Sequence, residues 1–296
     1  MNRRQFTTTA AAAALTAFGA TGRGRFRKGI TSGNFAKGKP FEDRFREAKA
    51  AGFEGMEIAL GDQVHLNTSD DDLKRLRETA GKSGITIVDI WVSGAIADTP
   101  LNADDPKVRA QGVAGLLRGI QMAKLLGTDS ILVVPGAVGW GTKMEHGYEQ
   151  TWERVSAELP KVIPDAEKAG VSLNFEEVWN RFLTSPLDMR RFVDQFHSKY
   201  VAVHFDVGNI FQYGFPQDWI AILGPRIKRV HLKDYKMQGF KMGEFVPLLE
   251  GSIDWQAVMN AFVKVGYRGF LTPEYGSETP LSEISAAWDK IAGMAS

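Results

Sequence analysis

The chain of 296 residues is 44% hydrophobic and 24% charged, ordinary for a globular protein and long enough for two small domains or one large α/β barrel. Its 36 basic and 35 acidic residues leave a formal charge of +1, which argues against nucleic acid or another polyanion as partner. With no cysteine, disulfides, thiolate metal ligands and a cysteine nucleophile are excluded, while the redox compartment stays open.

The N-terminus, MNRRQFTTTAAAAALTAFGATG, sets Arg3, Arg4 and Phe6 before an alanine-rich run of signal-peptide length. This resembles the twin-arginine signal that exports folded proteins. The run is too short and too weakly apolar to stay in a bilayer as a spanning helix. The expectation is therefore a signal at residues 1–22 and one catalytic domain over 23–296. The mature protein would be periplasmic without a membrane anchor, or cytoplasmic if the signal is not used.

From about residue 28, eight short apolar runs rich in β-branched residues suit strands buried on both faces. They fall at 28–33, 55–60, 85–92, 130–136, 171–177, 201–206, 227–234 and 269–276. Amphipathic segments separate them. FEDRFREAKAAG places Phe41, Phe45 and Ala48 on one stripe and closes at Gly52. DDLKRLRETAGKSG carries acids in its first turn and ends in Lys82 and Gly84, as the helix dipole and capping preferences favour. VRAQGVAGLLRGIQMAKLLG follows, then WERVSAELPKVIPDAEKAG, interrupted by Pro160 and Pro164. LDMRRFVDQF, WIAILG, WQAVMNAFVKVG and EISAAWDKIAGM complete the series. Strict alternation predicts a parallel α/β fold, and eight units predict a single (β/α)8 TIM barrel. No glycine-rich dinucleotide fingerprint follows the first strand, and no phosphate-binding GKS/T loop appears.

Chemistry in such a barrel gathers at the C-terminal ends of the strands. The fifth run ends on Glu176-Glu177, the sixth (VHFD) on Asp206, the seventh on His231, and the eighth on Glu274. A core strand ending on an acid needs a cation or hydrogen-bond donors to replace lost hydration. A lone acid there is commonly a helix cap or ion-pair partner, and a lone histidine a core residue. Four in phase on consecutive strands predict a metal site. Three carboxylates and an imidazole suit Mn²⁺ or Mg²⁺, and less exclusively Co²⁺ or Zn²⁺, with Mn²⁺ the first choice.

In order, VSLNFEEVWNRFLTSP, VHFDVGN, KRVHLKD, GEFVPLLEGSIDW and GFLTPEYG resemble the sugar isomerase/epimerase family with the xylose-isomerase-like barrel. That family includes ketose 3-epimerases and hydroxypyruvate isomerases and, more distantly, apurinic-site endonucleases. The likeness spans the chain after the leader and is densest between residues 170 and 276. It implies Glu176, Asp206, His231 and Glu274 as metal ligands, with Glu176 and Glu274 also acting as base and acid. Counting from Gly170-Val171 favours Glu176, whereas aligning backward from Asn180-Arg181-Phe182 favours Glu177. Only one of two adjacent strand residues faces inward, and Glu176 is the choice.

The implied chemistry is proton transfer beside a carbonyl, through an enediolate, on a small sugar. Arg181 and Lys233 are candidates to hold substrate oxygens, or else rim ion pairs, and Lys233 would offset the cluster's negative charge. Glu57, at the end of GMEIAL, is expected to point into the site or help close the barrel mouth. Trp91, Trp140 and Trp179 could wall a sugar ring. His146 and Glu145 ride on a glycine-rich loop with the look of a lid. Where ketose 3-epimerases carry a substrate-contacting histidine three residues after the aspartate ligand, this chain has Asn209, which weakens a free-ketose 3-epimerase assignment. The alternative is a lyase that expels a leaving group from a keto-glycoside in the same barrel. An apurinic-site nuclease would need more than five histidines and a basic groove, and a non-catalytic sugar binder would show no isotope exchange. Barrels of this family often pair, so a homo-oligomer fits, although no stripe marks an interface.

Overall fold

A computed structural model describes residues 25–239 and 241–296. The expected export signal at residues 1–22 lies outside the described residues. Eight parallel strands close into a barrel: β1 Arg27–Thr31, β2 Gly55–Ala59, β3 Thr86–Trp91, β4 Ser130–Val133, β5 Ser172–Phe175, β6 Val201–Asp206, β7 Ile227–Leu232 and β8 Phe270–Pro273. Each strand pairs with its sequence neighbours, and β1 closes on β8 with Arg27 opposite Phe270. The eight apolar runs thus become the eight staves of a (β/α)8 barrel.

The helices are α1 Phe41–Ala50, α2 Asp70–Lys82, α3 Pro106–Leu126, α4 Tyr148–Glu158, α5 Ile163–Ala169, α6 Pro186–Asp194, α7 Pro216–Leu223, α8 Trp255–Lys264 and α9 Leu281–Gly293. Their ends follow local chemistry. Ser69 caps α2 by accepting from the Asp72 amide, ahead of three acids in the first turn. Asp105 caps α3, Pro106 occupies its first turn, and Gly127 closes it at φ 79°. The Phe41, Phe45 and Ala48 stripe of α1 is buried as expected. Pro160 and Pro164 divide the fourth amphipathic segment into α4, a 3₁₀ turn at Leu159–Lys161 and α5, because proline cannot donate to a helix ladder.

The seventh run is shorter than its pattern suggested. β7 stops at Leu232, and Asp234–Gln238 pairs antiparallel with Lys241–Val246 as a ribbon over the rim. Asp234 is buried and fixes this turn: its carboxylate accepts from the Tyr235, Leu249 and Gly251 amides and from Trp255 Nε1. A smaller ribbon, Gly139–Trp140 with Lys143–Met144, follows β4. Among the described residues no helix is long and apolar enough to cross a membrane.

Candidate active site

Side chains on β6 alternate, so His204 and Asp206 share the inward face with Ala202. On β7 the inward pair is Arg229 and His231, and the register sets Asp206 beside His231 and His204 beside Arg229. Glu176 and Glu274 each follow the last residue of their strand. The result is one cluster: ligand atoms of Glu176, Asp206, His231 and Glu274 all lie within 4.8 Å of one another.

The VHFDVGN stretch explains why a core strand ends on an acid. The chain turns at once, and Asp206 Oδ1 accepts the amides of Gly208 (2.8 Å) and Asn209 (2.9 Å). Its other oxygen is left facing the cluster, 3.0 Å from Lys233 Nζ and 3.8 Å from His231 Nδ1. Gly208 is required here because a Cβ would fall 2.6 Å from Lys233 Cβ.

His231 is fully buried and gripped from two sides. Nδ1 faces Glu176 Oε1 at 3.1 Å and Glu274 Oε2 at 3.0 Å, while Nε2 meets Glu57 Oε2 at 2.8 Å. The same Glu57 oxygen accepts from Trp91 Nε1 at 2.8 Å, and the Trp91 ring lies 5.0 Å from the imidazole. Burial alone would lower the His231 pKa, but Glu57, Glu274 and Glu176 hold it well above its usual range. Burial would raise Glu57, and His231 overrides it, bringing that carboxyl down to about 2. Glu274 is likewise pulled well below the carboxylate range by Lys233 and His231, against the effect of burial. Lys233 Nζ lies 2.8 Å from Glu274 Oε2 and 3.4 Å from Asn209 Oδ1. Burial would lower its pKa, but the charges of Asp206, Glu274 and Glu176 hold it above the usual lysine value.

The donor set fits a divalent cation. Four ligand groups converge, and the buried Asp206 Oδ2 faces them with the Lys233 ammonium as its near partner. Nδ1 is the histidine nitrogen turned to the cluster, and once the ring gives up a proton Glu57 on Nε2 would favour the tautomer that leaves the Nδ1 lone pair for a cation.

The other residues expected near the substrate make the following contacts. Glu57 is fully buried behind His231 and does not open on the mouth. Trp91 points its indole N–H at Glu57. Asn209 has both amide ends occupied, by the Glu177 carbonyl and Lys233, and its own carbonyl accepts from Trp179. Arg181, at φ 65°, binds the Gly141 carbonyl of the small ribbon rather than the carboxylates. His146 lies near Asp104 (3.8 Å) and lines a cavity of about 430 Å³ with Trp140, Glu145, Ile96 and Leu101.

Glu177 is not in the cluster of four. It is buried with neither oxygen hydrogen-bonded, and burial together with the charges of Asp206 and Glu176 raises its pKa well above normal. Sequence reasoning also missed the layer beneath. His204 Nδ1 lies 3.2 Å from Asp89 Oδ2, and the His204 ring is 4.0 Å from His231. A hydrogen-bonded ionisable pair inside strand runs looks like core in a sequence, and only the inward alternation of β2, β3, β6 and β7 could have signalled it.

A family model for the xylose isomerase-like TIM barrel matches residues 45–292. The chain belongs to that family. The L-ribulose-5-phosphate 3-epimerase UlaE of Salmonella paratyphi B is 26% identical over 278 residues, covering 90% of this chain and 95% of that protein. D-Psicose 3-epimerase of Clostridium cellulolyticum H10 superposes with a TM-score of 0.73 at 20% identity, over 90% of this chain and 98% of that one. The 3-keto-D-glucoside 4-epimerase YcjR of E. coli does so with a TM-score of 0.72 at 15% identity, over the same shares. At those identities the two structures speak for the fold of this xylose isomerase-like barrel.

Proposed function

We propose that this protein is a sugar isomerase or epimerase that depends on a divalent metal and moves a proton on a carbon beside a carbonyl. The observation that carries the reading is the convergence of Glu176, Asp206, His231 and Glu274 from four consecutive strand ends. The epimerase names borne by family relatives support the reaction class. Glu176, Asp206, His231 and Glu274 would hold the ion, with Mn²⁺ favoured by three carboxylates and one imidazole. When bound, the ion supplies polarisation of the substrate carbonyl, worth several kcal/mol against the charge that develops on oxygen.

The residues account for the rest. Glu176 takes the proton from the carbon, leaving the electron pair delocalised onto the carbonyl oxygen as an enediolate. Glu274, whose side chain is the most exposed of the four at 25%, takes a proton from solvent and delivers it to the same carbon from the other face or to its neighbour, while Glu176 releases the abstracted proton to solvent. The first outcome is epimerisation and the second isomerisation. Lys233, beside Glu274 and Asp206, balances the negative charge of the cluster. Trp179 stacks on Phe245 of the rim ribbon at 4.9 Å, and this aromatic pair would help to restrict water at the mouth. Export through residues 1–22 belongs to the same proposal, and a periplasmic fraction emptied by Arg3→Lys with Arg4→Lys would support it.

The test is Mn²⁺ binding followed by NMR of keto- and aldo-sugars in D₂O. Deuterium entering an intact sugar supports the reading. A freed aglycone would turn it to the lyase, and tight sugar binding without exchange would leave only a binder.

A further inference from the structure

We propose that the opposite end of the barrel carries a binding site for a small polyvalent oxyanion of the phosphate class. A cavity of about 610 Å³ opens there between the starts of β1, β3, β4, β7 and β8. Five of its lining residues are basic (Arg27, Arg77, Lys124, Arg229 and Arg268), against one acid, Asp129. That is a strong local excess in a chain whose formal charge is only +1.

Two of the guanidinium groups, those of Arg27 and Arg229, are held in place. Arg27 stacks over the Phe270 ring at 4.1 Å, with Glu54 3.4 Å away as a loose exposed partner. Arg77 rests directly over Gly127, where a Cβ would come within 2.6 Å of its Nε. Arg229 forms the inner wall, anchored by Asp129 Oδ1 (2.6 Å) and the Val88 carbonyl (3.0 Å). Asp129 is already engaged by Arg229 and Lys228. Among the described residues, no carboxylate pairs with Arg77, Lys124 or Arg268.

The bland account is that cations at the base of a barrel complement helix C-termini. It covers Lys124, in the last turn of α3. It does not cover Arg77, inside α2, or Arg27 and Arg268, which are in no helix. Placed donors around a concavity match the tetrahedral oxygens of a phosphate, which forked guanidiniums bind through paired hydrogen bonds. A cavity suits a small ligand better than a flat membrane surface does.

The site is independent of the carboxylate cluster, and its test can be read without activity. The full chain is titrated with inorganic phosphate by calorimetry, at ionic strength fixed with KCl, beside Arg77→Ala, Arg268→Ala and Asp206→Ala. The expected result is saturable binding, weakened about tenfold or more in the two arginine variants and unchanged in Asp206→Ala. No saturable binding, or equal binding in all variants, overturns the site. Loss in Asp206→Ala alone would mean that phosphate sits at the carboxylate end, which also overturns it. Vesicles of phosphatidylglycerol form the last arm: capture by them without saturable phosphate binding would assign the charge to a membrane surface instead.

Discussion

His231 Nε2 lies 2.8 Å from Glu57 Oε2, so the histidine that faces the carboxylate cluster is anchored from behind by a fourth acid, borne on β2. Such a partner holds the ring in orientation, fixes its tautomer and raises its basicity. Glu57→Gln, equal in size, should weaken Mn²⁺ binding by about 10- to 100-fold with the fold intact. Calorimetry with circular dichroism would check both, and unchanged affinity would reduce Glu57 to packing.

Asp206→Ala and His231→Ala should each abolish tight Mn²⁺ binding, measured as metal content after loading and desalting. The parent should retain about one equivalent, as expected of one convergent four-ligand site.

Adjacent carboxylates can be separated by function. Glu176→Gln should lose both metal affinity and exchange, with exchange falling by about 10²- to 10⁴-fold as for loss of a general base. Glu177→Gln should leave metal content unchanged, because its carboxyl stands outside the cluster. The reverse result would move the ligand to position 177.

The Glu57–His231 pair sets a pH window for stability in chelator. Glu57, held near 2 when folded, contributes fully above its unfolded value of 4.5 and loses that contribution as pH falls toward 2. His231, raised when folded, contributes fully below 6.5 and loses that contribution as pH climbs through its elevated value. Urea melts should therefore show the parent's advantage over Glu57→Gln greatest between pH 4.5 and 6.5. Mn²⁺ affinity should run the other way and rise with pH, since His231 must release its proton to bind.

Asp234→Ala should destabilise the protein by about 3 kcal/mol, because two buried and two half-buried donors lose one acceptor. Thermal melting would record this. A change under about 1 kcal/mol would mean that water replaces the carboxylate.

The barrel was legible because strands buried on both faces leave unbroken apolar runs, and glycine or proline marked most helix ends. Glu176, Asp206, His231 and Glu274 stood out because each ends such a run. What lay hidden depended on contacts across the barrel. Glu57 sits 174 residues from His231 in sequence, so nothing local distinguishes an anchoring acid from a substrate-binding one. Asn209 and Arg181 occupy rim positions where a sugar would be expected, but the loops between strands decide what their side chains reach. Here they hold loop carbonyls instead.

The Glu57 contact also ties the site to the order of folding. β5 to β8 could bring the four ligands near one another as a half-barrel, but the grip on His231 comes from β2. A contact spanning 174 residues forms only after the chain has paid a large loop-closure entropy, when β1 and β2 dock against β8. Tight metal capture would then be the last property the chain acquires, and its appearance during refolding would report that the barrel has closed.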